Sequence, residues 1–148
     1  MHEPAFHHVL VPTDGSAGSI QAARRAIRML AGTGGRLTAL FVVDELVVRE
    51  LARFGGRPET EARTEMMQHG ERYVRLVRDE AASEHVADDT FVRYGNPFEE
   101  IVAAAAELGV DLIAMGHVGR RGTSRVLIGS VTSHVLDYAP CPVLVVKG

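Results

Sequence analysis

Two periods alternate along the chain. The first apolar run, His8 to Val11, stops at Pro12-Thr13-Asp14-Gly15-Ser16, a cluster of turn formers that ends a strand abruptly. Ile20, Ala23, Ile27 and Leu30 then return at three- and four-residue intervals, the stripe of a helix that ends at Gly32 or at Gly34-Gly35. Leu37 to Val43 is short and almost wholly apolar, the pattern of a parallel strand covered on both faces. Between Asp44 and Glu59 the period is lost. Val47, Val48, Leu51 and Phe54 are scattered there before Gly55-Gly56-Arg57-Pro58, and the stretch reads as a mobile connection with room for one helical turn. From Thr60 to about Glu84, Ala62, Met66, Val74, Val77 and Ala81 mark a long amphipathic helix with a charged outer face. Thr90 to Tyr94 alternates as a third strand and Gly95 ends it. Asn96-Pro97-Phe98-Glu99 is a helix start, with Asn96 as N-cap, Pro97 at the first helical position and Glu99 where a capping-box carboxylate sits; that helix runs to Leu108 and stops at Gly109. Leu112 to Met115 is a fourth buried strand, Ser130 to Tyr138 a last helix, and Val143 to Val146 a fifth strand after Ala139-Pro140-Cys141-Pro142. Strands and helices alternate throughout, which predicts a parallel sheet with helices on both faces.

Composition narrows this picture. With 148 residues the chain has the size of one domain, expected to span 1–148, and 46% hydrophobic with 24% charged residues is ordinary globular material. A net charge of -3 supplies no general basic field, so neither long nucleic acid nor an anionic membrane is an expected partner. The only cysteine, Cys141, excludes an intramolecular disulfide framework and a four-cysteine zinc site. The first residues lack a basic segment followed by an apolar one, and no run approaches the roughly 20 apolar residues of a spanning helix. A cytoplasmic location is the expectation.

The candidate chemistry lies after the fourth strand. Gly116-His117-Val118-Gly119, followed ten residues later by Gly129-Ser130, gives the spacing G-x2-G-x9-G-S. Glycine lacks a Cβ and takes positive φ, so backbone N–H groups can approach a phosphate there, and a helix N-terminus adds donors and partial positive charge worth about 0.3–1 kcal/mol to an anion. Ser130 has two readings, as N-cap of the last helix and as a phosphate contact. In an open parallel sheet ligands bind beyond the carboxyl ends of the strands, where this segment and the Asp14 loop both fall. Neither a P-loop nor a Rossmann fingerprint occurs.

These features together resemble the universal stress protein family, which carries G-x2-G-x9-G-[ST] after its fourth strand. The resemblance covers nearly the whole chain, from Val9 to Ser16 through Gly95-Asn96-Pro97 and Asp111 to Gly116 to the stretch Pro140 to Val146. It implies a three-layer α/β/α fold on an open, five-stranded parallel sheet of order 3-2-1-4-5, like that of adenine-nucleotide hydrolases. It also implies an ATP site. Asp14, flanked by Pro12 and Thr13, would approach the adenosine; Val42, among the core candidates Phe41, Val42 and Val43, would contact the adenine. Met115, Gly116, His117 and Gly119 would line the ribose and phosphate side, and Gly129, Ser130, Val131 and Thr132 would bind the phosphates. Arg120, Arg121 and Arg125 offer cations inside the loop, with a solvated position the competing reading of each. Magnesium would arrive with the phosphates. The resemblance further implies a homodimer joined through the edge strand Val143 to Val146.

Other constellations carry less. His2, His7 and His8 do not make a metal site, because His7 and His8 point to opposite faces of a strand. Cys141, between two prolines, reads as a packed thiol without an activating base. Ser130 and His134 lack an elbow motif and stand four apart on one helix, so a Ser-His-Asp reading has little support. No residue is assigned as catalytic. The function expected is that of a nucleotide-dependent regulator in the stress response, with an unidentified protein reading the ATP-bound state. Its rivals are a slow ATPase or nucleotidyl-transfer enzyme on the same site, and a scaffold that binds cAMP or no nucleotide.

Overall fold

The computed structural model describes residues 5–117 and 128–147. Five parallel strands, β1 (His8–Pro12), β2 (Arg36–Asp44), β3 (Ala87–Gly95), β4 (Leu112–Gly116) and β5 (Val143–Val146), form one sheet in the order β3-β2-β1-β4-β5. Between them run α1 (Ala17–Leu30), α2 (Glu45–Gly55), α3 (Glu59–Ser83), α4 (Pro97–Leu108) and α5 (Ser130–Tyr138). The topology expected from the resemblance is the one observed.

Alternation along the central strands explains the three layers. Val9 and Val11, with Leu37, Ala39, Phe41 and Val43, face one side and meet α1, α2 and α3. Leu10, Leu40, Ile113 and Met115 face the other and meet α4 and α5 through Ile101, Ala104, Ala105 and Val135. Both faces of β1 and β4 are covered, so their runs are continuously apolar. β5 lies at an edge with all four residues half-buried.

Local signals account for most boundaries. Ser16 caps α1 by accepting from the Ser19 N–H, and Asn96 caps α4 by accepting from the Glu99 N–H at 3.1 Å. Pro97 opens α4, and Gly109, in the left-handed region at φ 63°, closes it. The expectation for residues 44–59 is corrected: α2 is a helix of 11 residues, capped by Asp44 and closed by Gly56. Its apolar residues point two ways, which hides its period. Val48 and Ala52 enter the core, whereas Leu46, Leu51 and Phe54 face outward, Phe54 being 84% exposed. Among the described residues no helix is long and apolar enough to cross a membrane.

The amino ends of the strands are tied by one carboxylate. Asp111 accepts from the backbone N–H of His7 at 2.8 Å and of His8 at 3.0 Å, joining the start of β1 to the start of β4. Burial would raise this carboxyl, but the backbone amides outweigh it and hold it below its ordinary value. His8 stands beside this junction with Nε2 2.7 Å from Thr38 Oγ1. Burial lowers the His8 pKa, the Arg36 charge lowers it further, and Asp111 opposes both. The unfolded chain therefore takes up this proton first, and the contribution of a neutral His8 to stability falls as pH drops below about 6.5 until the folded ring also titrates. In His8→Gln the fall in denaturation midpoint with acidification in this window should be shallower than in the wild type. An identical slope would show that His8 does not govern it.

Candidate functional site

The carboxyl ends of β1 and β4 diverge: the chain leaves β1 for α1 on one face of the sheet, whereas the chain after β4 returns as α5 on the other. The crevice between two such exits is where open α/β sheets hold ligands. The residues lining it are fixed by a short network. Thr13 extends the β1 pairing by donating its N–H to the Leu40 carbonyl at 2.8 Å. Its buried hydroxyl lies 3.0 Å from that of buried Ser19, in the first turn of α1, and Ser19 Oγ donates to the Ser16 carbonyl at 2.9 Å. Between them the loop turns on itself. Asp14 accepts the Ser16 N–H at 2.9 Å, and Gly15 takes φ 81°, in the left-handed region.

Gly116 forms the opposite wall. A Cβ there would stand 2.8 Å from the Gly18 carbonyl carbon and 3.0 Å from the Ser19 nitrogen, so α1 starts directly against the end of β4. On its other side the Gly116 carbonyl accepts from the hydroxyl of buried Thr132 at 3.1 Å. His117 continues the ladder by donating its N–H to Val146, and its carbonyl accepts the Gly129 N–H at 2.9 Å. That last bond brings the two ends of the glycine-rich segment together.

Gly129, at φ -61° and ψ 150°, is the N-cap of α5, which corrects the reading of Ser130 as the cap. Gly129 is held by its bond to His117, and Ser130 is the first helical residue, where the helix is expected to begin, exposed to solvent. A glycine cap has no side-chain oxygen to accept from the first turn. This end of α5 carries no capping bond from the side chain of its N-cap.

A family model described as the universal stress protein family matches residues 5–147. The chain belongs to that family. A universal stress protein of Methanocaldococcus jannaschii is 35% identical over 149 residues, spanning 98% of this chain and 84% of the relative. The solved structure of hypothetical protein MJ0577 matches with a TM-score of 0.84 at 28% identity over 96% of each chain. A universal stress protein solved in complex with cAMP shares the fold, with a TM-score of 0.67 at 24% identity over 97% of this chain and 98% of its own.

In this universal stress protein the anticipated site residues are distributed unevenly. Thr13, Asp14, Gly116, His117, Gly129 and Thr132 are brought together by the contacts above. Pro12 is buried at the end of β1, and Val42 is the half-buried residue between buried Phe41 and Val43 near the end of β2. Met115 is 6% exposed and packs in the core under α4 and α5, where half-buried Val131 also packs. Gly119, Arg120, Arg121 and Arg125 lie outside the described residues. Gly18 and Ser19 were not anticipated, since nothing in the sequence announces that a helix starts against Gly116.

The remaining reactive groups are engaged elsewhere. His134 directs Nδ1 to the Ser130 carbonyl at 2.7 Å rather than to its hydroxyl, and its ring centroid is 5.3 Å from that of Phe98. Burial raises the pKa of the half-buried Cys141 thiol, and the Asp111 charge adds to this. Among the described residues, no group of three His, Cys, Asp or Glu side chains could hold a metal ion.

The close approach at Gly116 yields a direct test. Gly116→Ala sets a methyl against backbone, which cannot rotate away, and should destabilise the fold by roughly 1–3 kcal/mol in denaturant unfolding. An unchanged midpoint would show that α1 is free to shift from β4.

Proposed function

We propose that this universal stress protein, one domain over residues 1–148, binds ATP in the crevice between the Asp14 loop and the start of α5, and acts as a homodimeric regulator of the stress response. The observation that carries the reading is the glycine-capped start of α5, held at the end of β4 opposite the Asp14 loop. A helix beginning without a side-chain acceptor, at a topological switch point, suits a phosphate group. Thr13, Asp14 and half-buried Val42 would receive the adenosine. The main chain from Met115 to His117 would line the ribose, and Gly129, Ser130, Val131 and Thr132 would hold the phosphates. Gly119 and Arg120 complete this set, and magnesium would travel with the polyphosphate. The cAMP complex formed by one protein of this fold supports an adenine nucleotide as the ligand class.

Chemistry is not required of the site. Asp14, the acidic residue of the loop, accepts a backbone N–H in its own turn, and no other described carboxylate belongs to this network. The ATP-bound state would be read by a partner protein in the cytoplasm. The half-buried apolar β5 at the sheet edge suits pairing with a second copy.

Mass spectrometry of nucleotide released from the purified protein, with a time course of its fate, tests the ligand. Intact retained ATP is expected. Conversion to ADP or AMP over many turnovers would favour the enzyme, and cAMP, or no nucleotide and no titration with ATP, would favour the scaffold. Ser130→Asp separates binding from folding. A carboxylate in the first turn of a helix is neutral or stabilising, by about 0.3–1 kcal/mol, yet it repels phosphate. The variant should therefore keep its melting temperature and lose at least about tenfold in ATP affinity, a change of 1.4 kcal/mol. Unchanged affinity would remove the start of α5 from the site.

Light scattering addresses assembly. The mass at micromolar concentration should equal two chains, and Leu144→Lys in β5 should return it to one. A single-chain mass in the wild type would end the dimer reading.

A further inference from the structure

The Asp14 loop is fixed from within by its own turn, but a second contact reaches it from a distant part of the chain. Tyr73, half-buried on α3, packs against Gly15: a Cβ there would stand 2.5 Å from both Cε2 and Cζ of the ring. Gly15 is thus glycine for two reasons, its φ of 81° and the ring that covers it. Tyr73 also meets Phe41 of β2, stacked at 6.0 Å between centroids with 8° between the planes. Phe41 in turn occupies the space left by Gly70, one turn earlier on α3, where a Cβ would come within 2.7 Å of Phe41 Cδ1. Gly70, Phe41, Tyr73 and Gly15 therefore form one row of contacts running from α3 to β2, back to α3 and on to the loop. The row explains why an otherwise regular helix of 25 residues tolerates glycine in its middle, where it costs about 1 kcal/mol relative to alanine.

We infer that Tyr73 is a positioning residue for the nucleotide site: its ring holds the Asp14 loop in the conformation that meets the adenosine, with Phe41 and Gly70 setting the place of the ring. The inference rests on the ATP reading for its ligand and on geometry alone for the hold on the loop. A loop already ordered before binding loses less entropy when the ligand arrives, so removing the ring should weaken ATP even where the fold survives. The contact with Gly15 is made by ring carbons, so phenylalanine should preserve it.

The test compares wild type, Tyr73→Phe and Tyr73→Ala at a temperature where circular dichroism shows each to be folded. Tyr73→Leu, which keeps apolar volume without a flat ring, serves should Tyr73→Ala fail to fold. ATP affinity by calorimetry should stay within about twofold for Tyr73→Phe and fall about tenfold for Tyr73→Ala or Tyr73→Leu. Hydrogen exchange of the Gly15 and Ser16 amides should quicken in the same variants while the β5 amides keep their protection. A folded Tyr73→Ala or Tyr73→Leu variant with wild-type affinity, or with unaltered exchange at Gly15 and Ser16, would overturn the inference. Failure of the wild type to bind ATP would instead end the nucleotide reading, and exchange at Gly15 and Ser16 would still decide whether Tyr73 holds the loop.

Discussion

The contact on which the arrangement depends is the one between Gly116 and the first turn of α1. Two pieces of backbone meet there with no side chain between them, at the end of a strand buried on both faces. The same residue is gripped from the other layer by the Thr132 hydroxyl. Helices on opposite faces of the sheet thus take their positions from a single residue, and the crevice is the gap their starts leave. Any side chain at 116 would push α1 off the sheet, separating Ser19 from Thr13 and disturbing the turn that carries Asp14.

Polar groups around this contact are spent mainly on one another. Thr13 bonds to Ser19 and to β2, Ser19 to Ser16, Asp14 to its own turn and Thr132 to Gly116. Among the described residues no buried side-chain nitrogen or oxygen is left without a partner. Such a network costs stability only if one member is lost, since a buried polar group without a partner costs about 1–3 kcal/mol. It follows that the side chains of this network hold one another in place around the contact.

Much of this was legible in the sequence because periodicity and punctuation agreed. Asn96, Pro97 and Gly109 bound α4 with local signals, and the unbroken apolar runs of β1, β2 and β4 announced strands covered on both sides. The segment from Gly116 to Ser130 stood out by its spacing. What stayed hidden depended on tertiary contacts. The period of α2 was obscured because Val48 and Ala52 point inward while Leu46, Leu51 and Phe54 point outward, although Asp44 and Gly56 are ordinary caps. Ser130 offered itself as an N-cap by residue type, yet the cap is Gly129, whose N–H is bonded to the His117 carbonyl. Gly70 and Gly15 carried no mark of their role, since the rings that require them come from distant residues.

The bond between the Gly129 N–H and the His117 carbonyl separates the architecture from the segment it closes. With both ends pinned, the sheet and α5 keep their relation whatever joins 117 to 129, and doubling the length of a flexible connection costs only about 0.6 kcal/mol in closure entropy. The scaffold can therefore tolerate wide variation there. In evolutionary terms the segment is a cassette: its sequence can be rewritten while the fold passes through every intermediate unharmed.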